Sequence, residues 1–250
     1  MKLLSLISGG KDGIYAILSA KRLGHDVVLL GHLNPLDPNT HELDSYMYQT
    51  IGHNVVLTIS TCMEIPLIER PIGGTPKSTD TLTYLPTDGD EVEDLYELVK
   101  DALEINPSIE AVLTGAIASK YQLERVKNVC DRLNLKTVQP LWGRDQGELL
   151  RDMVEDGMIA ILMKACCMGI SEKHLGKTIR ELYPEFMMME AEFGFNVCGE
   201  GGEYESMVLD CPLYKKRIRV TEHKVVYHSR DPYAPTILYV PVKWVTEPKS

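Results

Sequence analysis

The chain has 250 residues, 44% of them hydrophobic and 25% charged, enough to bury a substantial core in one large domain or two modest ones. Its formal net charge of −10 argues against a broad, sequence-independent grip on nucleic acid, so no stable nucleic-acid binding is expected, and no apolar run reaches membrane-spanning length. The six cysteines contain no C-x-x-C pair and the seven histidines no H-x-x-x-H spacing, which predicts reduced, mostly buried thiols and no dedicated zinc site.

The N-terminal apolar run is short and lacks a small-residue cleavage site, so it reads as a strand and not as a leader, and a cytoplasmic location is expected. It ends in Ser8-Gly9-Gly10-Lys11-Asp12-Gly13, and Ile14, Ile17, Leu18 and Lys21 follow at helical spacing. Strand, Gly-rich turn and helix start together make a concave cluster of N–H donors suited to phosphate. A Walker loop would need Gly where Ser5 stands and Ser or Thr where Asp12 stands, and the dinucleotide fingerprint G-x-G-x-x-G is absent as well.

Gly24 ends the first helix, and residues 27–31 read as a second strand, parallel to the first. Residues 44–63 have a helical pattern broken near Gly52, residues 65–68 a strand pattern, and residues 72–88 are a polar Gly/Pro/Thr stretch read as a mobile lid or a solvated loop. A helix over 91–105, a strand over 111–115, a helix over 121–133 and a strand over 137–139 continue the alternation. The predicted class is α/β, a doubly wound, mainly parallel sheet, whose carboxyl-end loops at Ser8 to Gly13, Gly31 and Gly115 converge on one crevice.

Pro140-Leu141-Trp142 marks passage to a second, smaller α+β unit, giving predicted domains of 1–139 and 140–250. The latter is read as a helix over 146–155, a strand over 158–163, a long helix over 172–193 kinked at Pro184, and antiparallel strands over 217–220, 224–227 and 237–245. Met187-Met188-Met189 is read as helix packing.

Within that unit, Cys198-Gly199-Glu200-Gly201-Gly202-Glu203-Tyr204-Glu205-Ser206 concentrates carboxylates and a phenol on a Gly-dense turn between Phe195-Asn196-Val197 and Met207-Val208-Leu209. As a bare hairpin loop its glycines would only supply positive φ. Like charges this close repel, however, and such density suits a site for Mg²⁺ or a cationic substrate. In extended chain Glu203 and Glu205 would share one face, with Tyr204 and Ser206 on the other.

The opening loop resembles the S-G-G-x-D-S pyrophosphate loop (PP-loop) of the N-type ATP pyrophosphatases, with their adenine nucleotide alpha hydrolase-like fold. Together with the 198–206 stretch, Glu42-Leu43-Asp44-Ser45-Tyr46-Met47-Tyr48-Gln49-Thr50, Gly115-Ala116-Ile117, Tyr121-Gln122 with Arg125-Val126, Leu141-Trp142 with Arg144-Asp145-Gln146, and Glu172-Lys173-His174-Leu175-Gly176, the chain from residue 1 to about 214 resembles the diphthine-ammonia ligase family.

That resemblance implies an ATP-dependent ligase that amidates diphthine on elongation factor 2 with ammonium through an acyl-adenylate, releasing AMP and pyrophosphate. Ser8, Gly9, Gly10 and Gly13 would cradle the β- and γ-phosphates, Lys11 would neutralise their charge, and Asp12 would hold Mg²⁺ unless it only caps the following helix. Glu200, Glu203 and Glu205 would hold the trimethylammonium group of diphthine or the incoming ammonium, and Tyr204 would offer its ring face. The acceptor site would include Gly199, Gly201, Gly202 and Ser206, with Tyr121, Gln122 and Arg125 contacting the α-phosphate or the acceptor unless they form an ordinary helix face. Gly13 departs from the family Ser and removes a hydroxyl donor, while the backbone cradle is retained. Two rival readings are a related ATP pyrophosphatase that adenylates another acceptor, such as a tRNA base, and a nucleotide-binding sensor without turnover.

Overall fold

The computed structural model describes residues 1–77, 79–231 and 233–249. In chain order the elements are β1 (Lys2–Leu6), α1 (Lys11–Arg22), β2 (Asp26–Pro35), α2 (Val56–Met63), β3 (Leu67–Ile72), α3 (Glu91–Ile105), β4 (Ala111–Leu113), α4 (Lys120–Arg132) and β5 (Lys136–Val138). They are followed by α5 (Gln146–Glu155), β6 (Ile159–Ala165), α6 (Ile179–Phe193), β7 (Tyr204–Asp210), β8 (Lys216–Tyr227) and β9 (Ile237–Pro248).

The first five strands form one parallel sheet in the order β3-β2-β1-β4-β5. β1 is central, and Leu3 and Leu4, which point to opposite faces, are both fully buried. β2 and β4 flank it on opposite sides, so the strand order reverses at β1 and leaves a crevice beyond its carboxyl end. β6 to β9 form an antiparallel sheet in the order β7-β6-β9-β8. The fold is therefore α/β with a second, antiparallel sheet.

One face of the parallel sheet packs on α3 and α4 through Leu4, Leu29, Val92, Leu95 and Val129. The other face joins α1 and the second sheet in one cluster containing Leu3, Ile14, Ile17, Met163, Val208 and Leu238. This shared core fixes the second sheet against the end of β1. Two backbone bonds tie the same seam, Val208 N–H to Gly9 O at 2.9 Å and Lys215 N–H to Cys62 O at 2.6 Å.

Several segments differ from the sequence reading. Residues 44–52 are not helical, because side chains take over their backbone donors: Glu91 Oε1 accepts from Tyr46 and Met47, and Ser45 Oγ accepts from Met47 and Tyr48. The helix expected over 172–193 is split, since Gly176 has φ +74° and Thr178 starts α6 afresh through a reciprocal capping box with Glu181. β8 is continuous across the gap expected at 221–223, where register shifts absorb the irregularity. Residues 195–197 are not a strand, so the acidic stretch is no hairpin: it connects α6 to β7, which pairs with β6.

Candidate active site

A cavity of about 510 Å³ opens at the carboxyl ends of β1, β2 and β4. Its floor is the turn after β1. Gly9 there has φ +88°, and Gly10 is the extended residue before α1, whose ladder begins with Ile14 N–H donating to Gly10 O at 3.3 Å. The amides of Asp12 and Gly13 stand ahead of that ladder and belong to the positive end of the helix, an arrangement suited to anionic oxygens. Gly115 closes one wall, since a Cβ on it would lie 2.5 Å from Asp12 C and Gly13 N. Only glycine lets the loop after β4 approach the start of α1 so closely.

Lys11 is 2% exposed, and its ammonium bonds Asp12 Oδ2 at 2.9 Å and the Cys198 carbonyl, 4.9 Å from the centroid of the Tyr204 ring. Burial works against its charge, but Asp12, Tyr204 and Cys198 outweigh it, so the ammonium is held charged. Asp12 shows the converse balance: burial raises its carboxyl in spite of Lys11, and Oδ1 is buried without a partner among the described residues. This is a carboxylate with room for one more positive charge. No group of three or more His, Cys, Asp or Glu placed to hold a metal occurs among the described residues. The donor set fits a Mg²⁺ ion that arrives on phosphates and needs one or two protein carboxylates, and does not fit a protein-enclosed metal.

The 198–206 stretch forms the opposite wall. Glu200 Oε2 accepts from Ala118 N–H at 2.9 Å, and burial together with nearby Asp12 raises its carboxyl. Ser206 Oγ accepts from Lys11 N–H at 3.1 Å, and Gln49 Nε2 donates to Ser206 O at 3.0 Å. Glu205 lines the cavity and bonds Lys164 Nζ at 3.0 Å, while Glu42 bonds the same ammonium at 2.6 Å from the other side. Burial and Glu42 push the Glu205 carboxyl up, with Lys164 opposing.

The cavity thus brings together Ser8, Gly10, Lys11, Asp12, Gly13, Gly31 and Gly115 with Gly199, Glu200, Gly202, Tyr204, Glu205, Ser206, Tyr121 and Gln122. Gly9, Gly201, Glu203 and Arg125 are not on its wall. Glu203 is turned into its own loop, where it accepts from Asn196 Nδ2 at 2.5 Å and Gly201 N–H at 2.8 Å, so it clamps the turn and does not share a face with Glu205. Arg125 is fully buried, with its guanidinium 3.3 Å from the Tyr121 ring centroid and bonded to Thr81 O. It anchors the 73–90 loop to α4. That loop is also tied to Asp94 through Gly73 and Gly74 N–H. Tyr204 corrects a further expectation: its ring packs among Phe186, Phe195 and Lys11 and its hydroxyl donates to Val197 O, so the face meant for an exogenous cation is taken by Lys11.

Four residues of the site were given no role from the sequence, although Glu42 and Gln49 lie within the 42–50 stretch that carries the family resemblance. His32 lines the cavity, its Nδ1 2.9 Å from Ile7 O and its Nε2 buried without a partner. Gln49 bridges the two walls, and Glu42 and Lys164 complete the charge cluster behind Glu205. The available signals were a histidine directly after the second apolar run and a lone lysine inside an otherwise apolar strand. The cavity lining also includes the apolar side chains of Leu33, Leu95, Leu98 and Val126, a surface suited to a flat base.

Two family models match this sequence, Diphthamide synthase N-terminal domain over residues 1–137 and Diphthamide synthase C-terminal domain over residues 145–237. Three relatives bear the name diphthine--ammonia ligase. The one from Danio rerio is 45% identical over 252 residues, covering 100% of this chain and 98% of its own length. The Homo sapiens protein is 45% identical over 239 residues, 94% of this chain and 88% of its own. The Schizosaccharomyces pombe protein is 48% identical over 229 residues, 92% of this chain, which spans 38% of that longer protein.

Proposed function

Because this chain belongs to the diphthamide synthase family and is a ligase, we propose that it amidates the carboxylate of diphthine on elongation factor 2 with ammonium, consuming ATP and releasing AMP and pyrophosphate in the cytoplasm. The observation that carries this reading is the meeting of the phosphate loop and the acidic stretch in one cavity, through Lys11 N–H and Ser206 Oγ. An activated-carboxylate ligase needs nucleotide and acceptor within bonding distance of each other, and this seam supplies that proximity.

In the proposed sequence the triphosphate lies on the free helix-start amides of Asp12 and Gly13 beside Ser8 and Gly10, with the adenine toward Leu33, Leu95 and Leu98 beside Gly31. An oxygen of the diphthine carboxylate attacks the α-phosphorus, the bond to the β-phosphate oxygen breaks, and pyrophosphate leaves with the electron pair. Lys11 and the helix start stabilise the charge that develops on it. Asp12, through its unpartnered Oδ1, would hold Mg²⁺ carried on the phosphates, and that ion would supply further charge neutralisation. Ammonia then displaces AMP from the acyl-adenylate. Residues 1–139 are assigned to nucleotide binding and 140–250 to the acceptor, whose trimethylammonium group would face Glu200, with Tyr121 and Gln122 at the same wall.

The test mixes the protein with diphthine-bearing elongation factor 2, Mg-ATP and ammonium, and follows nucleotide products and the mass of the modified histidine. The expected result is AMP, not ADP, released only with that acceptor and matched by conversion of acid to amide. AMP release that requires a tRNA, or nucleotide binding without turnover, would replace this reading by one of its rivals.

A further inference from the structure

The least explained feature of the cavity is the charge cluster behind Glu205. Two carboxylates, Glu42 and Glu205, meet one ammonium, Lys164 Nζ, at 2.6 and 3.0 Å. One ammonium balances one carboxylate, so the ionised trio is one positive charge short. The second oxygen of each carboxylate, Glu42 Oε2 and Glu205 Oε2, is buried and has no hydrogen-bond partner among the described residues. The Glu42 side chain is only 5% exposed, and leaving an acceptor unmade at that depth is costly. A merely structural strut between β6 and the segment after β2 would need one glutamate.

The arrangement also has an opening. Glu205 lines the cavity, and Ser206, the next residue, lies against Gln49 and Gly10 at the start of the loop proposed to hold the nucleotide phosphates. Glu205 is one-fifth exposed, whereas Glu42 lies behind it. A small cation entering by the cavity meets Glu205, which lines it, before Glu42, which does not, and the Lys164 ammonium already shows that both carboxylates accept an N–H donor of that kind.

We propose that Glu42, Lys164 and Glu205 form the ammonium-binding site, and that the Glu205 carboxylate takes a proton from the bound ammonium to generate the ammonia nucleophile. This rests on the amidation reading above and deepens it. An N–H bond of ammonium breaks, its electron pair stays on nitrogen, and the proton forms an O–H bond on Glu205. The nitrogen lone pair bonds to the activated carbonyl carbon, and the carbon–oxygen bond to AMP breaks with its electrons leaving on the phosphate. A second N–H proton is lost to water in the open cavity, and nothing is oxidised or reduced. Burial beside Glu42 raises the Glu205 carboxyl, which suits a group that must accept a proton near neutral pH.

The experiment compares wild type, Glu205→Gln and Glu42→Gln with two nucleophiles, ammonium and hydroxylamine, the latter largely uncharged at neutral pH. Rates are normalised to acceptor-dependent ATP–pyrophosphate exchange, which counts the correctly folded sites and needs no amine. Both variants are expected to raise the KM for ammonium by about tenfold or more, the loss of a charge-assisted hydrogen bond, with the KM for ATP unchanged. Glu205→Gln is expected to lose a further factor of about a hundred in kcat with ammonium and to recover most of it with hydroxylamine. Equal losses with both nucleophiles, or an unchanged KM for ammonium, would overturn the inference while leaving the amidation reading intact. Failure of wild type to amidate the acceptor at all would instead remove that reading.

Discussion

Lys11 and Ser206 are joined by a hydrogen bond of 3.1 Å from backbone N–H to side-chain hydroxyl, although 195 residues separate them in sequence. The amide most central to the phosphate loop is therefore held by the acidic stretch, and the loop's geometry depends on the second sheet staying docked. The same lysine's ammonium bonds Cys198 O, so both ends of the residue lean on that wall.

Replacing Ser206 by Ala removes the acceptor from a buried N–H. A stability loss of about 1–2 kcal/mol is expected in urea unfolding, with a several-fold rise in the Kd for ATP measured calorimetrically. A loss of stability without weaker nucleotide binding would mean that the bond supports the core and not the loop.

Two glycines that line the cavity give opposite outcomes. A Cβ on Gly13 would meet Leu6 O at 3.4 Å and Ile7 Cα at 3.8 Å, ordinary contacts, so Gly13→Ser is accommodated. It replaces a helical glycine and is expected to raise stability by about 0.5 kcal/mol and to keep or tighten ATP binding through the added hydroxyl. Gly115→Ala drives its methyl into the backbone of Asp12 and Gly13 and is expected to weaken ATP binding by about tenfold or more. Thermal unfolding with and without ATP reads both; loss of binding in Gly13→Ser would contradict the helix start described above.

What the sequence made legible was local. Residues 91–105 combine an acidic first turn with apolar spacing and form α3 over the same span, where the structure adds an Asp90 cap. The phosphate loop is contiguous, so its strand, turn and helix can be read together. What depended on long-range register was hidden. Lys164 meets Glu205 only because β6 and β7 pair antiparallel with those residues opposite each other, and no spacing in the sequence carries that register. Glu203 was assigned to the Glu205 face by strand alternation, but β7 begins at Tyr204, so the alternation does not reach it.

His32 sets a pH dependence. Burial lowers its imidazole to about 4, against the opposing effect of the Ile7 carbonyl, whereas in the unfolded chain it titrates near 6.5. Between those values the unfolded state binds more protons, so this contribution to stability is complete above about pH 6.5 and is lost as pH falls toward 4, up to about 3 kcal/mol. Urea midpoints from pH 7.5 to 4.5 should fall more steeply for wild type than for His32→Gln. Parallel curves would show that the imidazole takes up its proton in the folded protein.

The glutamates of the acidic stretch should separate by role. From sequence, Glu203→Gln is expected to cut amidation sharply. In the structure Glu203 acts through the loop it clamps, accepting from Asn196 and Gly201, and a glutamine oxygen still accepts one of those bonds. Glu200 instead lines the cavity beside Asp12, held by Ala118 N–H, and its charge is available to a cation there. Glu200→Gln is therefore expected to reduce kcat/KM for the acceptor by about tenfold to a hundredfold with little change in thermal stability, as loss of one charge-assisted contact would. Glu203→Gln should lower the unfolding midpoint and change kcat/KM by less than about fivefold, a cost carried by a looser turn. Measuring both parameters for both variants decides the matter: a large kinetic loss in Glu203→Gln at unchanged stability would place that carboxylate on the acceptor after all.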